Sequence, residues 1–412
     1  MPILICNLEI SFLLPYRTNL CKKKNTIRTV IEKSITAIPK VDWATVVADR
    51  NIYLSIEYLT ALEVTTEREI DFLYAILYDS EDHPVMVSVF QLVTFLYRKN
   101  NHPSKFLKHF SKDKDGNLSM NMLVCGNVFS HGENGFLWSD EIHSSEAFEQ
   151  MARLMERIKE DEETRMKISV LLFKEFWPNS IESSKLLSEY QFKDFMIDVN
   201  MVLPIHESWS SLETYMSCLK TKFRNKVKGV YKKSSVLSLK SLNFEEIEKH
   251  QTEINELFMQ VVARSHYSFG AINSKAFGSF KKALGENFLF RAVFYKDKLV
   301  GFSSAFFHKG IMEANYVGMD YALNVDLAIY QRLLYDYVEQ GIDRDVKEIQ
   351  FGRTSELLKS SLGAEPVDMT LYARHKATIP NMFLSSILCF VSPSEFELRK
   401  PFKSKFMEEW TR

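Results

Sequence analysis

Residues 289–317, LFRAVFYKDKLVGFSSAFFHKGIMEANYV, hold three apolar runs separated by short polar turns. Leu289–Tyr295 and Leu299–Phe307 are aromatic and β-branched runs joined by the polar turn Lys296-Asp297-Lys298, and Ile311–Val317 follows the turn His308-Lys309-Gly310. Apolar runs separated by such short turns pair with their nearest neighbours, so the stretch predicts a three-stranded antiparallel meander. Upstream, Val236–Leu242 reads as a strand and Phe244–Ser265 as a helix, with Ile247, Ile254, Leu257, Phe258 and Val261 on one face. A second helix, Ser274–Leu284, ends at Gly285. Downstream, Val325–Gln340 reads as a long amphipathic helix, opened by Asn324 as N-cap and closed by Gly341. Strand Glu348–Phe351, short helix Ser355–Leu362 before Gly363, and strand Met369–Ala373 complete the order.

The same order recurs faintly in the first half. Tyr53–Leu62 reads as helix, Asp71–Tyr78, Val85–Phe95 and Asn121–Cys125 as strands, and Ser145–Glu160 as the long helix. Strand Lys167–Phe173, short helix Ile181–Glu189 and strand Phe195–Val202 follow, so the chain reads as a duplication with a boundary near Pro204–Ser211. The expected organisation is a degenerate first domain over 1–203, a catalytic domain over 204–378 preceded by a basic helix at 212–233, and a tail at 379–412. Asn100–Leu118, rich in Lys, Asp and Gly, reads as a surface insertion. The apolar start, Met1–Leu14, carries Glu9, lacks a basic leader, and reads as a first strand rather than a signal peptide.

A length of 412 residues suits two domains, and 46% hydrophobic with 25% charged residues is the composition of a packed globular chain. The net charge of −1 argues against a surface devoted to nucleic acid, and no DNA partner is expected. The five cysteines are scattered without a CxxC pair, which suggests neither disulfides nor a metal site and fits a reducing cytoplasm. Local charge is less even. Between Glu213 and Glu245 there is no acidic residue, while Lys220, Lys222, Arg224, Lys226, Lys228, Lys232, Lys233 and Lys240 are basic. Met216, Leu219, Phe223, Val227 and Val230 recur at helical spacing within this block, predicting one helix with an apolar seam and cationic flanks. Such flanks are either a solvated face or a seat for CoA phosphates, an acidic carrier protein, tRNA or anionic lipid.

The run Leu219–Lys228, then Gly301-Phe302-Ser303, Gly318-Met319-Asp320, Phe351-Gly352-Arg353-Thr354, Lys359 and Leu362-Gly363-Ala364 resembles the BioF-like acetyltransferase branch of the GNAT superfamily, related to the Fem-type tandem-GNAT transferases. The likeness covers most of Leu212–Lys376; the first half shares only the element order and the segment Tyr53–Glu63. The resemblance implies an α/β (α+β) fold of two tandem GNAT-like domains, each a mixed, mainly antiparallel twisted sheet flanked by helices. It also implies transfer of an activated acyl group to an amine in the cleft of the second copy. GNAT enzymes commonly wrap a pyrophosphate with a glycine-rich loop before the long helix, but this chain has Met319–Asp326 there, without glycines and with Asp320 and Asp326.

In a sheet of this kind ligands sit where strands splay apart and a helix N-terminus points into the gap. Amine acylation requires a base for the ammonium and a donor for the developing oxyanion. Strand alternation puts Glu313 and Asn315 on one face and Ala314 and Tyr316 on the other, giving Glu313 as base and Tyr316 as donor, with Tyr321 and Tyr330 as alternatives. Arg353 and Lys359 at a strand's carboxyl end suit an anionic group on the acceptor; the competing reading has Thr354 or Ser355 capping a helix with Lys359 exposed. Arg264, His266 and Tyr267 would line the acceptor channel, while Arg224, Lys226, Asn324 and Tyr321 would face the donor. No bound cofactor is expected, only acyl-CoA or acyl carrier protein as co-substrate, with a small amine or an amine-bearing lipid precursor as acceptor. The apolar tail run Met382–Val391 is too short to span a bilayer; it reads as a helix packed on the second domain or as an anchor making peripheral contact with the inner membrane. Two rivals remain: a Fem-type transfer from charged tRNA to a cell-wall precursor, and an inactive GNAT-like binding module.

Overall fold

The computed structural model describes residues 28–66, 70–97, 111–112, 118–161, 168–197, 199–264, 272–388 and 397–410. The proposed first strand, most of the 100–118 insertion, His266 and Tyr267 lie outside the described residues. Strands in the first half are β1 (Arg28–Glu32), β2 (Asp71–Tyr78), β3 (Pro84–Tyr97), β4 (Ser111–Lys112), β5 (Leu118–Cys125), β6 (Phe136–Trp138), β7 (Val170–Phe176), β8 (Lys193–Phe195) and β9 (Val199–Pro204). The second half supplies β10 (Ser238–Ser241), β11 (Phe288–Tyr295), β12 (Lys298–His308), β13 (Ile311–Met319), β14 (Glu348–Gln350), β15 (Glu365–Asp368) and β16 (Thr370–His375). The meander β11-β12-β13 is antiparallel, and β13 then pairs in parallel with β14.

Two sheets result, ordered β1-β2-β3-β5-β7-β16-β8 and β10-β11-β12-β13-β14-β9-β15. They match position for position: each has a meander, a parallel pair (β5 with β7, β13 with β14) and a final antiparallel hairpin-like edge. Two sheets of matching strand order, each flanked by helices, are therefore the architecture. The closing strands are exchanged, however. β9, read from sequence as the end of the first copy, lies between β14 and β15 of the second sheet; β16, read as the end of the second, lies between β7 and β8 of the first. The boundary at 203/204 therefore does not separate the sheets. Local sequence specifies a buried strand, while its destination is set by which face it fits: Met201 and Leu203 are fully buried in the second core, and Leu371 and Tyr372 are buried against the first.

Helix Ser144–Glu160 covers the outer face of the first sheet and helix Ile329–Asp343 that of the second. The inner faces share one continuous core. There Tyr58, on helix Ile56–Thr66, stacks on Phe280 of helix Ala276–Leu284 at 5.0 Å and meets Phe306 of β12 edge-on at 5.6 Å. A large side chain so buried contributes about 1.5–3 kcal/mol, so a seam of several holds the halves as one body.

Some helices break where the sequence reads them as continuous. The basic helix is two, Leu212–Cys218 and Thr221–Lys233, because Leu219 leaves the spiral to form a β-bridge with Phe402. The helix expected over Phe244–Ser265 is divided into Phe244–Lys249 and Gln251–Val262 at His250. Of the tail helices, Thr378–Met382 packs on β16 and Leu384–Leu388 on β8, both strands of the first sheet, because β16 has already carried the chain there. Ile379, Met382 and Phe383 remain exposed. Among the described residues no helix is long and apolar enough to cross a membrane, and no cluster of His, Cys, Asp and Glu could hold a metal ion.

Candidate active site at the seam

The parallel pairing of β13 with β14 runs from Ile311/Glu348 to Glu313/Gln350 and stops there, although β13 continues to Met319. The strands thus splay immediately beyond Glu313. At this point β13 is also irregular: Ala305 pairs with Ala314 and Ser303 with Val317, so Asn315 and Tyr316 together oppose Ser304. This β-bulge resets the alternation. Ala314 packs with the core under Ile329–Asp343, whereas Tyr316 joins the inner core that Phe306, the cross-strand partner of Glu313, also belongs to. The sequence expectation that Ala314 and Tyr316 share a face is corrected by this extra residue, which no periodicity could reveal.

The first copy reaches into the splay. Tyr53, on a 3₁₀ turn at Ile52–Leu54, donates its hydroxyl to Glu313 Oε2 at 2.6 Å and accepts from Asn315 Nδ2 at 3.3 Å. Asn315 Oδ1 is buried without a hydrogen-bond partner among the described residues. Burial pushes the Glu313 carboxyl up to about 7, against the opposing pull of the Tyr53 hydrogen bond and the Lys174 charge. Tyr316 does not offer its hydroxyl to the cleft: it donates to the Phe129 carbonyl at 2.7 Å and its ring packs on Phe258 and Phe277. The role of oxyanion donor expected for it therefore has no free proton behind it.

Beside Glu313 lies a buried charge cluster built from both copies. Lys174 Nζ bonds Glu175 Oε2 and the Ser130 carbonyl, each at 2.6 Å, and Glu175 also pairs with Arg353. Burial and Arg353 hold Lys174 well below the ordinary lysine range; burial, Arg353, Lys174 and Lys359 do the same to His131. Glu175 takes a left-handed conformation (φ 55°), as do Gly352 (70°), Thr354 (63°) and Ser355 (58°), a concentration of strain that the surrounding contacts must hold in place.

Lys359 is buried, not exposed. Its ammonium donates to the Gly352 carbonyl at 3.1 Å and to that of Arg353, and burial lowers its pKa to about 7. Asn200 of the exchanged β9 accepts from Gly352 N at 3.0 Å. Arg353, lowered to about 10 by burial, and Lys359 are thus committed to shaping this loop and have their charged groups engaged within it, contrary to the expectation of an anion seat. Ser355 stands at the N-cap of helix Glu356–Ser360 without a side-chain cap bond, and Thr354 lies one residue outside it, so neither caps as expected.

The remaining candidates lie apart from Glu313's hydrogen bonds. Arg264 lies over the Tyr321 ring at 3.9 Å, and Tyr321 N donates to Gln260 Oε1 at 3.4 Å. Asn324 sits within a short helix, Tyr321–Leu327, capped by Asp320, and accepts from Tyr330 N at 2.8 Å. The long helix therefore starts at Ile329, and one of its free first-turn amides is already satisfied by the chain itself. Arg224 and Lys226 lie on the basic helix Thr221–Lys233. Sequence reasoning missed Tyr53, His131, Lys174 and Glu175; all come from the first copy, which the sequence presents as the degenerate one.

No family model and no curated protein matches this chain. Solved structures resemble it at low identity. FemX matches with a TM-score of 0.48 at 10% identity, over 79% of this chain and 93% of that one. A tandem GNAT protein from the clavulanic acid biosynthesis pathway matches with a TM-score of 0.47 at 9% identity, over 85% and 99%. L-PGS from Bacillus licheniformis matches with a TM-score of 0.42 at 8% identity, over 79% and 96%.

Proposed function

We propose that the chain is an N-acyltransferase that moves an acyl group from a thioester, presented by a carrier, to a primary amine, with Glu313 as general base. One observation carries this reading: at the splay, a carboxylate poised near neutrality and an unpartnered amide oxygen, Asn315 Oδ1, converge with Tyr53 between them. A buried acceptor left unsatisfied costs about 1–3 kcal/mol, and an ammonium is a ligand rich enough in donors to satisfy both groups. Glu313 takes one proton from the ammonium, and the freed amine attacks the thioester carbonyl. The C–N bond forms, the tetrahedral intermediate collapses, and the C–S bond breaks. The thiolate leaves with the second amine proton, and Glu313 returns its proton to water. A base with a pKa near the working pH is half-deprotonated and still basic enough to act.

A carrier-bound donor fits the helix start better than free CoA does. The chain lacks glycines there, and Asn324 already takes the Tyr330 amide that a pyrophosphate would need. The acceptor's remaining structure and the acyl chain are open to a screen. Palmitoyl and acetyl thioesters of CoA and of acyl carrier protein are offered with a panel of amines, and free thiol is measured. Amine-dependent thiol release that Glu313→Gln abolishes is the expected result; release unaffected by that change would remove Glu313 from the mechanism.

A further inference from the structure

The basic helix and the far C-terminal segment meet. Leu219 pairs with Phe402, Lys220 N donates to the Pro401 carbonyl at 2.8 Å, and Lys403 N donates to the Cys218 carbonyl at 3.0 Å. Phe402 is buried and packs on Trp209 and Tyr215, which fixes the segment in place. Cations distant in sequence are thereby crowded together: burial and the charges of Arg399 and Lys222 hold Lys226 below the ordinary lysine range. Among the described residues, none of Lys222, Arg224, Lys226, Lys228 and Lys232 has an acidic partner. Repulsion left uncompensated in this way is relieved by an anionic partner.

Its layout narrows the partner. Lys222, Lys226 and Lys233 fall along one edge of the helix, a row about 16 Å long at 1.5 Å per residue. Arg399, itself paired with Glu397 at 2.9 Å, adds its charge beside Lys226 in the middle of the row, and at the far end Lys233 donates to the Val325 carbonyl at 3.3 Å, on the short helix that precedes Ile329–Asp343. Exposed apolar side chains lie near its members: Val325, whose carbonyl Lys233 meets, is 74% exposed, Val236, three residues past Lys233, 57%, and Leu398, next to Arg399, 43%. A phosphate backbone calls for cations alone, or cations with stacking rings. A row of cations bordered by exposed aliphatic groups matches a protein helix that carries acids and apolar residues together.

We infer that this row and the C-terminal segment form the docking platform for an acidic carrier protein bearing the acyl thioester on a flexible arm. The inference rests on the thioester reading above and names how the donor arrives. Its test uses the full chain, with palmitoyl acyl carrier protein as probe and bulk transfer RNA as rival ligand, by fluorescence anisotropy at low and physiological salt.

Wild type and Glu313→Gln are expected to bind the carrier equally, and salt to weaken binding. The Lys222→Glu/Lys233→Glu variant is expected to lose at least tenfold, and Val325→Asp several-fold; both changes lie on exposed positions and leave the core alone. No carrier binding by the wild type, or binding indifferent to the double reversal, overturns the platform. Transfer RNA binding that the reversal abolishes and Val325→Asp spares, with the carrier unbound, also overturns it in favour of a nucleic-acid face. Carrier binding that follows these variants while no amine is acylated keeps the platform and sinks the catalytic reading instead.

Discussion

At the level of single residues, the proposed chemistry depends on Glu313 and the hydroxyl that Tyr53 brings to it. The Tyr53 bond stabilises the carboxylate, so Tyr53→Phe removes a contribution that lowers the Glu313 pKa. The expected outcome is an acidic limb of kcat/KM near pH 7 in the wild type that moves to higher pH in Tyr53→Phe; an unmoved limb would separate Tyr53 from the base. Glu313→Gln should lower kcat roughly 10²–10⁴-fold while circular dichroism stays native. Linkage has a definite sign here. The folded Glu313 pKa, about 7, lies above the ordinary glutamate value of 4.5, so the folded state holds the extra proton between these values. Stability from this group is full below the unfolded pKa and is lost as pH rises through the folded one. Glu313→Gln should consequently be less sensitive than wild type to a rise from pH 5 to pH 8 in urea denaturation. The place of Glu313 on a strand was legible in the sequence because strand periodicity and the punctuation around β13 are local signals. Tyr53 was not, because a partner 260 residues away leaves no mark in either neighbourhood.

At the level of elements the turn after β14 is the strained piece. Gly352 sits at φ 70°, and a Cβ there would come within 2.6 Å of the His131 ring. Gly352→Ala should cost about 1–3 kcal/mol, seen as a lower urea midpoint with unchanged slope, and should lower activity by displacing the loop that Lys359 ties. A midpoint equal to wild type would mean that the turn relaxes freely. The run Phe351–Thr354 stood out in the sequence as a strand end, but the destination of its side chains did not. Arg353 and Lys359 look like an anion seat in one dimension, whereas burial turns their donors inward on Glu175 and on backbone carbonyls. The bulge at Asn315–Tyr316 was illegible for a related reason: alternation assumes a regular strand.

Across the whole molecule the exchange of β9 and β16 ties the copies together. Each sheet is completed by a strand from the other half, and the inner core is shared, so the chain should unfold in a single cooperative transition in calorimetry. Two resolved transitions would contradict a shared core. Residues 1–203 and 204–412 expressed apart should each be insoluble, with two-chain material recovered only on co-expression. The duplication and the order of elements were readable because each local run carries its own turn and cap signals. The exchange was not, because β9 and β16 are both short, largely buried strands and only the completed sheets show where each belongs.

The most direct measurement is a ¹³C titration of glutamate-labelled protein, which needs neither donor nor acceptor. One carboxyl is expected to titrate near pH 7, to be missing from Glu313→Gln, and to move to higher pH in Tyr53→Phe. Glutamates that all titrate in the ordinary carboxylate range would contradict this expectation, leaving the seam between the copies without a base.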